Sequence, residues 1–221
     1  MSKAPPLSCL IAQALLRIKA VIVSPNAPFT YASGMRGPVY CDNRLVLSYP
    51  ADRRLITDAF EREVRQWAQM PDAIAAVATA GIPHGAWLAQ RLDLPMAYVR
   101  SKPKGHGREN LVEGVLRPGQ RTVLLEDLVT SGGSSLRAVE AVRSVTGIVP
   151  EAVLCIFTYN YPGTREKFSA AGVPLVPLCD FDTLLHVAQS QSLLSTSQLD
   201  TLRRFQADPI AWSNEHLPAA Q

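Results

Sequence analysis

Val123-Leu-Leu-Glu-Asp-Leu-Val-Thr-Ser-Gly-Gly-Ser134 decides the fold. Three apolar residues run into the adjacent acids Glu126 and Asp127, and then into a turn of hydroxyls and glycines from Thr130 to Ser134. Directly behind, Leu136, Val139, Ala141, Val142 and Val145 recur at helical spacing over 134–145. Backbone N–H groups of such a turn can wrap a phosphate, and the helix N-terminus adds partial positive charge. The paired carboxylates can accept hydrogen bonds from vicinal hydroxyls or offer oxygens to Mg²⁺. The combination suits a ribose phosphate. A strand end and a capped turn would explain each piece alone; their unbroken order argues for a site. The stretch is neither Gly-x-Gly-x-x-Gly nor Gly-x-x-x-x-Gly-Lys, which excludes dinucleotide and P-loop readings.

Outward from this stretch the same alternation repeats. Short β-rich runs at 74–79, 96–99, 123–125, 153–157 and 173–176 are separated by helical patterns at 84–91, 134–145 and 164–171. Earlier lie a possible strand at 39–41 and two amphipathic helices. The first, at 7–18, carries Leu7, Leu10, Ile11, Ala14, Leu15 and Ile18; the second, at 50–68, carries Leu55, Ile56, Ala59, Phe60, Val64 and Trp67. Alternating strands and helices imply right-handed crossovers and an α/β, doubly wound, mainly parallel sheet. Such sheets bind ligands beyond the C-terminal ends of their strands, where loops 80–85 and 127–133 fall. The tail at 208–221, with two prolines and little pattern, is expected to pack loosely or drape over a neighbour.

At 221 residues and 47% hydrophobic composition the chain fits a single domain over 1–221. A net charge of +3 is too mild and dispersed to argue for nucleic acid. Cys9, Cys41, Cys155 and Cys179 show no Cys-x-x-Cys spacing, so neither a zinc site nor a disulfide framework is indicated and a reducing cytoplasm is expected. The stripe at 7–18 is unlike a signal peptide. The uncharged run 73–90 is broken by Gly81, Pro83, His84 and Gly85, which favours a buried strand and helix over a membrane span.

A second chemical feature is Arg100-Ser-Lys-Pro-Lys-Gly-His-Gly-Arg-Glu-Asn110, which crowds Lys, Arg and His among Pro and Gly. Alone it would fit a solvated loop or a polyanion patch. Beside a ribose-phosphate site it reads as a cationic arm that closes over a pyrophosphate leaving group and excludes water.

The 123–134 stretch resembles the phosphoribosyl pyrophosphate signature of the type I phosphoribosyltransferases. Tyr98 to Gly107 resembles the catalytic loop of the orotate phosphoribosyltransferases, and Phe29-Thr-Tyr-Ala-Ser-Gly-Met-Arg-Gly-Pro-Val-Tyr-Cys-Asp-Asn-Arg44 resembles the segment those enzymes fold over orotate. The resemblance implies one sheet with a small N-terminal hood, about 1–45, joined by the C-terminal segment at hood and interface. It also implies Mg²⁺-dependent transfer of ribose 5-phosphate from 5-phosphoribosyl 1-pyrophosphate to orotate, for pyrimidine biosynthesis. Arg100, Lys104 and His106 would bind the pyrophosphate, and Glu126 and Asp127 would face the ribose hydroxyls. Leu128, Val129, Thr130, Ser131, Gly132, Gly133 and Ser134 would complete the donor site. Thr130 and Tyr40 would meet orotate, although ordinary packing explains Tyr40 equally well. Lys104, His106 and Asp127 would carry the chemistry. Asp127 is the candidate Mg²⁺ ligand beside substrate and water. A loop reaching the partner's site implies a homodimer, with neither nucleic acid nor membrane as partner.

The sequence departs from some relatives at Ala32, Ala80 and Asn160, where they carry Lys, Lys and Arg; Lys102, Arg36 and Arg44 are possible substitutes. The rival readings are a purine phosphoribosyltransferase, which would lack the 29–44 segment, and a non-catalytic nucleotide-sensing regulator, which would add a DNA-reading unit.

Overall fold

An apolar stripe starts the chain: α1 (Leu7–Arg17) buries Ile11, Ala12, Ala14 and Leu15. The structure, a computed structural model, describes residues 5–101 and 111–217. Four short strands follow, β1 (Val21–Val23), β2 (Phe29–Thr30), β3 (Arg36–Gly37) and β4 (Val39–Cys41). β1 pairs antiparallel with β4, and β2 with β3, so two small antiparallel pairs make up the hood. A 3-10 helix (Asn43–Ser48), N-capped by Asp42, leads into α2 (Pro50–Arg65), whose Pro50 suits a first helical turn.

The central sheet then builds by crossovers. Its elements are β5 (Ala73–Val77), α3 (Gly81–Leu92), β6 (Met96–Val99), β7 (Val112–Glu113), β8 (Thr122–Val129), α4 (Gly133–Thr146), β9 (Val153–Thr158), α5 (Thr164–Ala170) and β10 (Leu175–Asp180). The strand order is β10-β9-β8-β5-β6-β7, parallel except for the antiparallel β7 at one edge. The run 73–90 thus divides into β5 and α3, with Pro83 in the first helical turn, where a missing N–H costs little.

Strand alternation gives the sheet two cores. Ile74, Val123, Leu125, Leu154 and Ile156 pack under α1, α2, α3 and α6 (Phe181–Ser190). Ala73, Ala75, Leu124, Val153 and Cys155 pack under α4 and α5. Each fully buried Val, Leu or Ile contributes about 1.5–3 kcal/mol, so both faces favour the same register. α4 ends at Gly147, whose φ of 74° closes the helix in the left-handed region. Among the described residues, no helix is long and apolar enough to cross a membrane.

Two expectations need correction. The last strand is β10, later than the expected 173–176; as an edge strand it tolerates Pro177, whose missing N–H would break a central ladder. Residues 208–217 are also not loosely packed. α8 (Pro209–Glu215) folds back onto the hood and α7 (Thr196–Ala207) packs against α8, with Phe205 and Trp212 buried edge-to-face at 5.5 Å. Ser213 Oγ accepts from the Arg36 amide at 2.9 Å, and Gln206 Nε2 donates to the Tyr159 carbonyl at 3.2 Å.

Candidate active site

β8 carries the acid pair inside the strand, whereas the sequence suggested a strand ending at Leu125. The ladder to β9 continues through Glu126↔Cys155, Leu128↔Phe157 and Val129↔Thr158, which holds both acids extended. Asp127 falls between these pairs, and the regular alternation of faces breaks there: Glu126 and Leu128, two apart, turn toward different cores. Glu126 turns toward α4, where Ser135 Oγ donates to Oε2 at 3.3 Å, and the Asp127 amide donates to Oε1 at 3.2 Å. Glu126 is only 6% exposed. Burial first, and the neighbouring Asp127 charge second, push its carboxyl up to about 9. Burial also raises Asp127. Two adjacent carboxyls that resist joint ionisation favour a proton or a cation beside them. Such an all-oxygen pair fits Mg²⁺ if the ion takes further ligands from substrate and water.

Beyond the pair, Leu128 is half-buried against one core and Val129, 1% exposed, packs in the other, so their side chains face protein. Thr130, Ser131, Gly133 and Ser134 are exposed around the turn. Gly132 has φ of 84°, and a Cβ there would lie 2.6 Å from the Phe168 ring, so both backbone and space require glycine. From α5, Thr164 Oγ1 donates to the Thr130 carbonyl at 3.4 Å.

The next loop, with its cis Ala78–Thr79 peptide, brings α3 to the same end of the sheet. Gly81 permits a close approach, since a Cβ would lie 2.6 Å from the Leu125 carbonyl oxygen. At the edge, the Arg100 amide donates to the Leu111 carbonyl at 2.8 Å and its guanidinium reaches Glu113 at 3.3 Å. Lys102, Lys104 and His106 lie outside the described residues.

The hood supplies the other wall. Tyr40 is 40% exposed, with its ring centroid 5.6 Å from that of Phe29. Arg44 grips Asp42 through two bonds of 2.6 and 2.7 Å. Asp42 is the main cause that raises the Arg44 guanidinium, with smaller electrostatic contributions from Tyr40 and Asp127. Arg36 is committed elsewhere, its Nη2 donating to the Pro28 carbonyl at 3.1 Å. Asn43, fully buried, donates through Nδ2 to the Asp127 carbonyl at 2.7 Å. Sequence reasoning missed Asn43 because nothing local marks a partner 84 positions away. It also missed Arg165, whose Nε donates to Asn160 Oδ1 at 3.0 Å and so brings a guanidinium to that uncharged position.

Comparison with known proteins agrees with this geometry. Residues 46–171 match the phosphoribosyl transferase domain. The orotate phosphoribosyltransferase of Bacillus caldolyticus is 46% identical over 204 residues, covering 92% of this chain and 98% of that protein. That of Streptococcus gordonii is 46% identical, covering 91% and 96%. The solved orotate phosphoribosyltransferase of Aeropyrum pernix superposes with a TM-score of 0.70 at 31% identity, over 84% of this chain and 99% of that one. With the phosphate turn, the acid pair and the hood carried on one mainly parallel sheet, the chain belongs to the orotate phosphoribosyltransferase family of enzymes, within the phosphoribosyl transferase fold.

Proposed function

We propose that this chain, as a homodimer in the cytoplasm, transfers ribose 5-phosphate from 5-phosphoribosyl 1-pyrophosphate to orotate, with Mg²⁺ and with inversion at C1. The junction of β8 and α4 carries the reading: an acid pair and a glycine-bent phosphate turn share one end of the sheet in a chain with orotate phosphoribosyltransferase relatives. Thr130, Ser131, Gly132, Gly133 and Ser134 cradle the 5′-phosphate at the N-terminus of α4. Glu126 and Asp127 accept from the ribose 2′ and 3′ hydroxyls and face the ring as positive charge develops on it. Mg²⁺, held by donor oxygens, water and Asp127, would neutralise part of the pyrophosphate charge. Arg100, Lys104 and His106 stabilise the departing pyrophosphate, the last two reaching the partner's site. Tyr40 and Thr130 hold the orotate ring, and Arg44 offers charge to its carboxylate. N1 of orotate, its proton lost, bonds C1 from the face opposite the breaking C1–oxygen bond, giving orotidine 5′-monophosphate.

The test is loss of orotate absorbance with purified protein. Turnover that requires both the donor and Mg²⁺, with none on adenine, hypoxanthine or uracil, is the expected result. Turnover on a purine in place of orotate would overturn the proposal.

A further inference from the structure

The edge of β8 that carries Asp127 is incomplete. β5 pairs with β8 only as far as Ala76↔Leu125. Past that point Gly81 crowds the Leu125 carbonyl, and the Asp127 carbonyl receives its hydrogen bond from outside the sheet, from Asn43 Nδ2 at 2.7 Å. Asn43 is fully buried. Its amide is also oriented from the other end, because Cys41 Sγ donates to Oδ1 at 3.5 Å. One side chain thus joins two walls. On its own segment Asn43 follows Tyr40 by three positions and immediately precedes Arg44; across the gap it grips the backbone of an acid.

We propose that Asn43 is a positioning residue: by fixing the Asp127 backbone it sets the direction of that carboxylate, and it locks the hood at a set height above the donor. This rests on the functional reading above. Asn43 touches neither substrate in this scheme and acts through Asp127. A tilt of the peptide plane at Asp127 would swing the carboxylate, and a displacement of about 1 Å at a reacting centre can cost roughly 100-fold.

The experiment compares Asn43→Ala with Val46→Ala, which empties a fully buried site in the same 3-10 helix and whose apolar side chain makes no hydrogen bond to Asp127. Asn43→Leu accompanies them and keeps the volume filled should the smaller side chain leave the turn unfolded. Calorimetry with 5-phosphoribosyl 1-pyrophosphate and Mg²⁺, the Mg²⁺ concentration giving half-maximal rate, kcat/KM and Tm are measured for each. Asn43→Ala or Asn43→Leu is expected to weaken donor binding at least about tenfold and to raise the half-saturating Mg²⁺. Val46→Ala is expected to lower Tm as much or more and stay within about twofold of the parent in binding. Donor affinity falling in step with Tm in all three would overturn the inference. So would parent-like donor binding without the amide, or failure of both Asn43 variants to fold. A parent protein that binds no donor would overturn the functional reading itself, and the inference with it.

Discussion

In the proposed site the donor wall comes from one unbroken stretch, β8 through the first turn of α4, whereas the acceptor wall is assembled from both ends of the chain. The Arg36 amide of the hood finds its partner, Ser213, 177 positions away. Gln206 reaches the Tyr159 carbonyl across 47. A contiguous motif on a central strand inherits its geometry from the ladder on either side. A hood of two-residue and three-residue strands cannot stand alone, since isolated short hairpins are marginal in water. Donor binding should therefore survive damage to the hood that leaves the Asn43–Asp127 bond in place, and acceptor binding should not.

The largest effects belong to the chemistry. Asp127→Asn and Lys104→Ala are each expected to lower kcat roughly 100-fold or more with Tm nearly unchanged, which steady-state kinetics and calorimetry would check. Mixing the two inactive variants should restore roughly a quarter of parental activity if Lys104 serves the partner's site, because half of random dimers keep one intact site. No recovery would place the loop within its own subunit.

Next in size is Trp212→Ala. Truncating this buried ring should cost about 3–5 kcal/mol, lower Tm by roughly 10 °C and raise KM for orotate about tenfold. Donor affinity by calorimetry should stay within about threefold; an equal loss on both sides would end the division into separable walls.

The next effect is set by pH. With its carboxyl up near 9 in the free protein, Glu126 carries a proton through neutrality. If donor hydroxyls and a cation favour its ionised form as proposed, binding expels that proton and should tighten by up to about tenfold per unit as pH rises from 7, levelling off near 9. Stability runs the other way. The folded state binds the proton more tightly than the unfolded chain, so the penalty is absent below about 4.5 and grows until pH passes about 9. Glu126→Gln should flatten that fall and raise the Tm of the unliganded protein by about 3 °C at pH 8, as a thermal scan across pH would show.

The smallest effect expected is from Arg165→Ala, which should raise KM for orotate about threefold by removing an exposed guanidinium from Asn160. No change in KM would leave Arg165 with a local role only.

What the sequence disclosed follows the same division. β5, β6, β9, α2 and α4 lie close to where periodicity predicts them, because local apolar spacing and the sheet demand the same residues. The glycine turn between β8 and α4 was legible for the same reason. α7 and α8 were missed although signals existed: Ser195 and Gln198 form a capping box, Asp208 caps α8 ahead of Pro209, and Leu199, Leu202 and Phe205 recur at three-residue spacing. β10 was placed too early, the expected run at 173–176 stopping just before Pro177, which only an edge strand tolerates. No local rule could have disclosed Asn43 against the Asp127 backbone, since that proximity exists only once the hood has docked.

The bond from the Arg36 amide to Ser213 also imposes an order on synthesis. A ribosome releases β8 and α4 well before α8, so a nascent chain can complete its phosphate cradle while the roof above it remains unfastened. On the proposed reading, competence toward the second substrate must await synthesis of α8, and a message cut short after α6 is expected to yield a protein able to seize the sugar donor yet poorly equipped to use it.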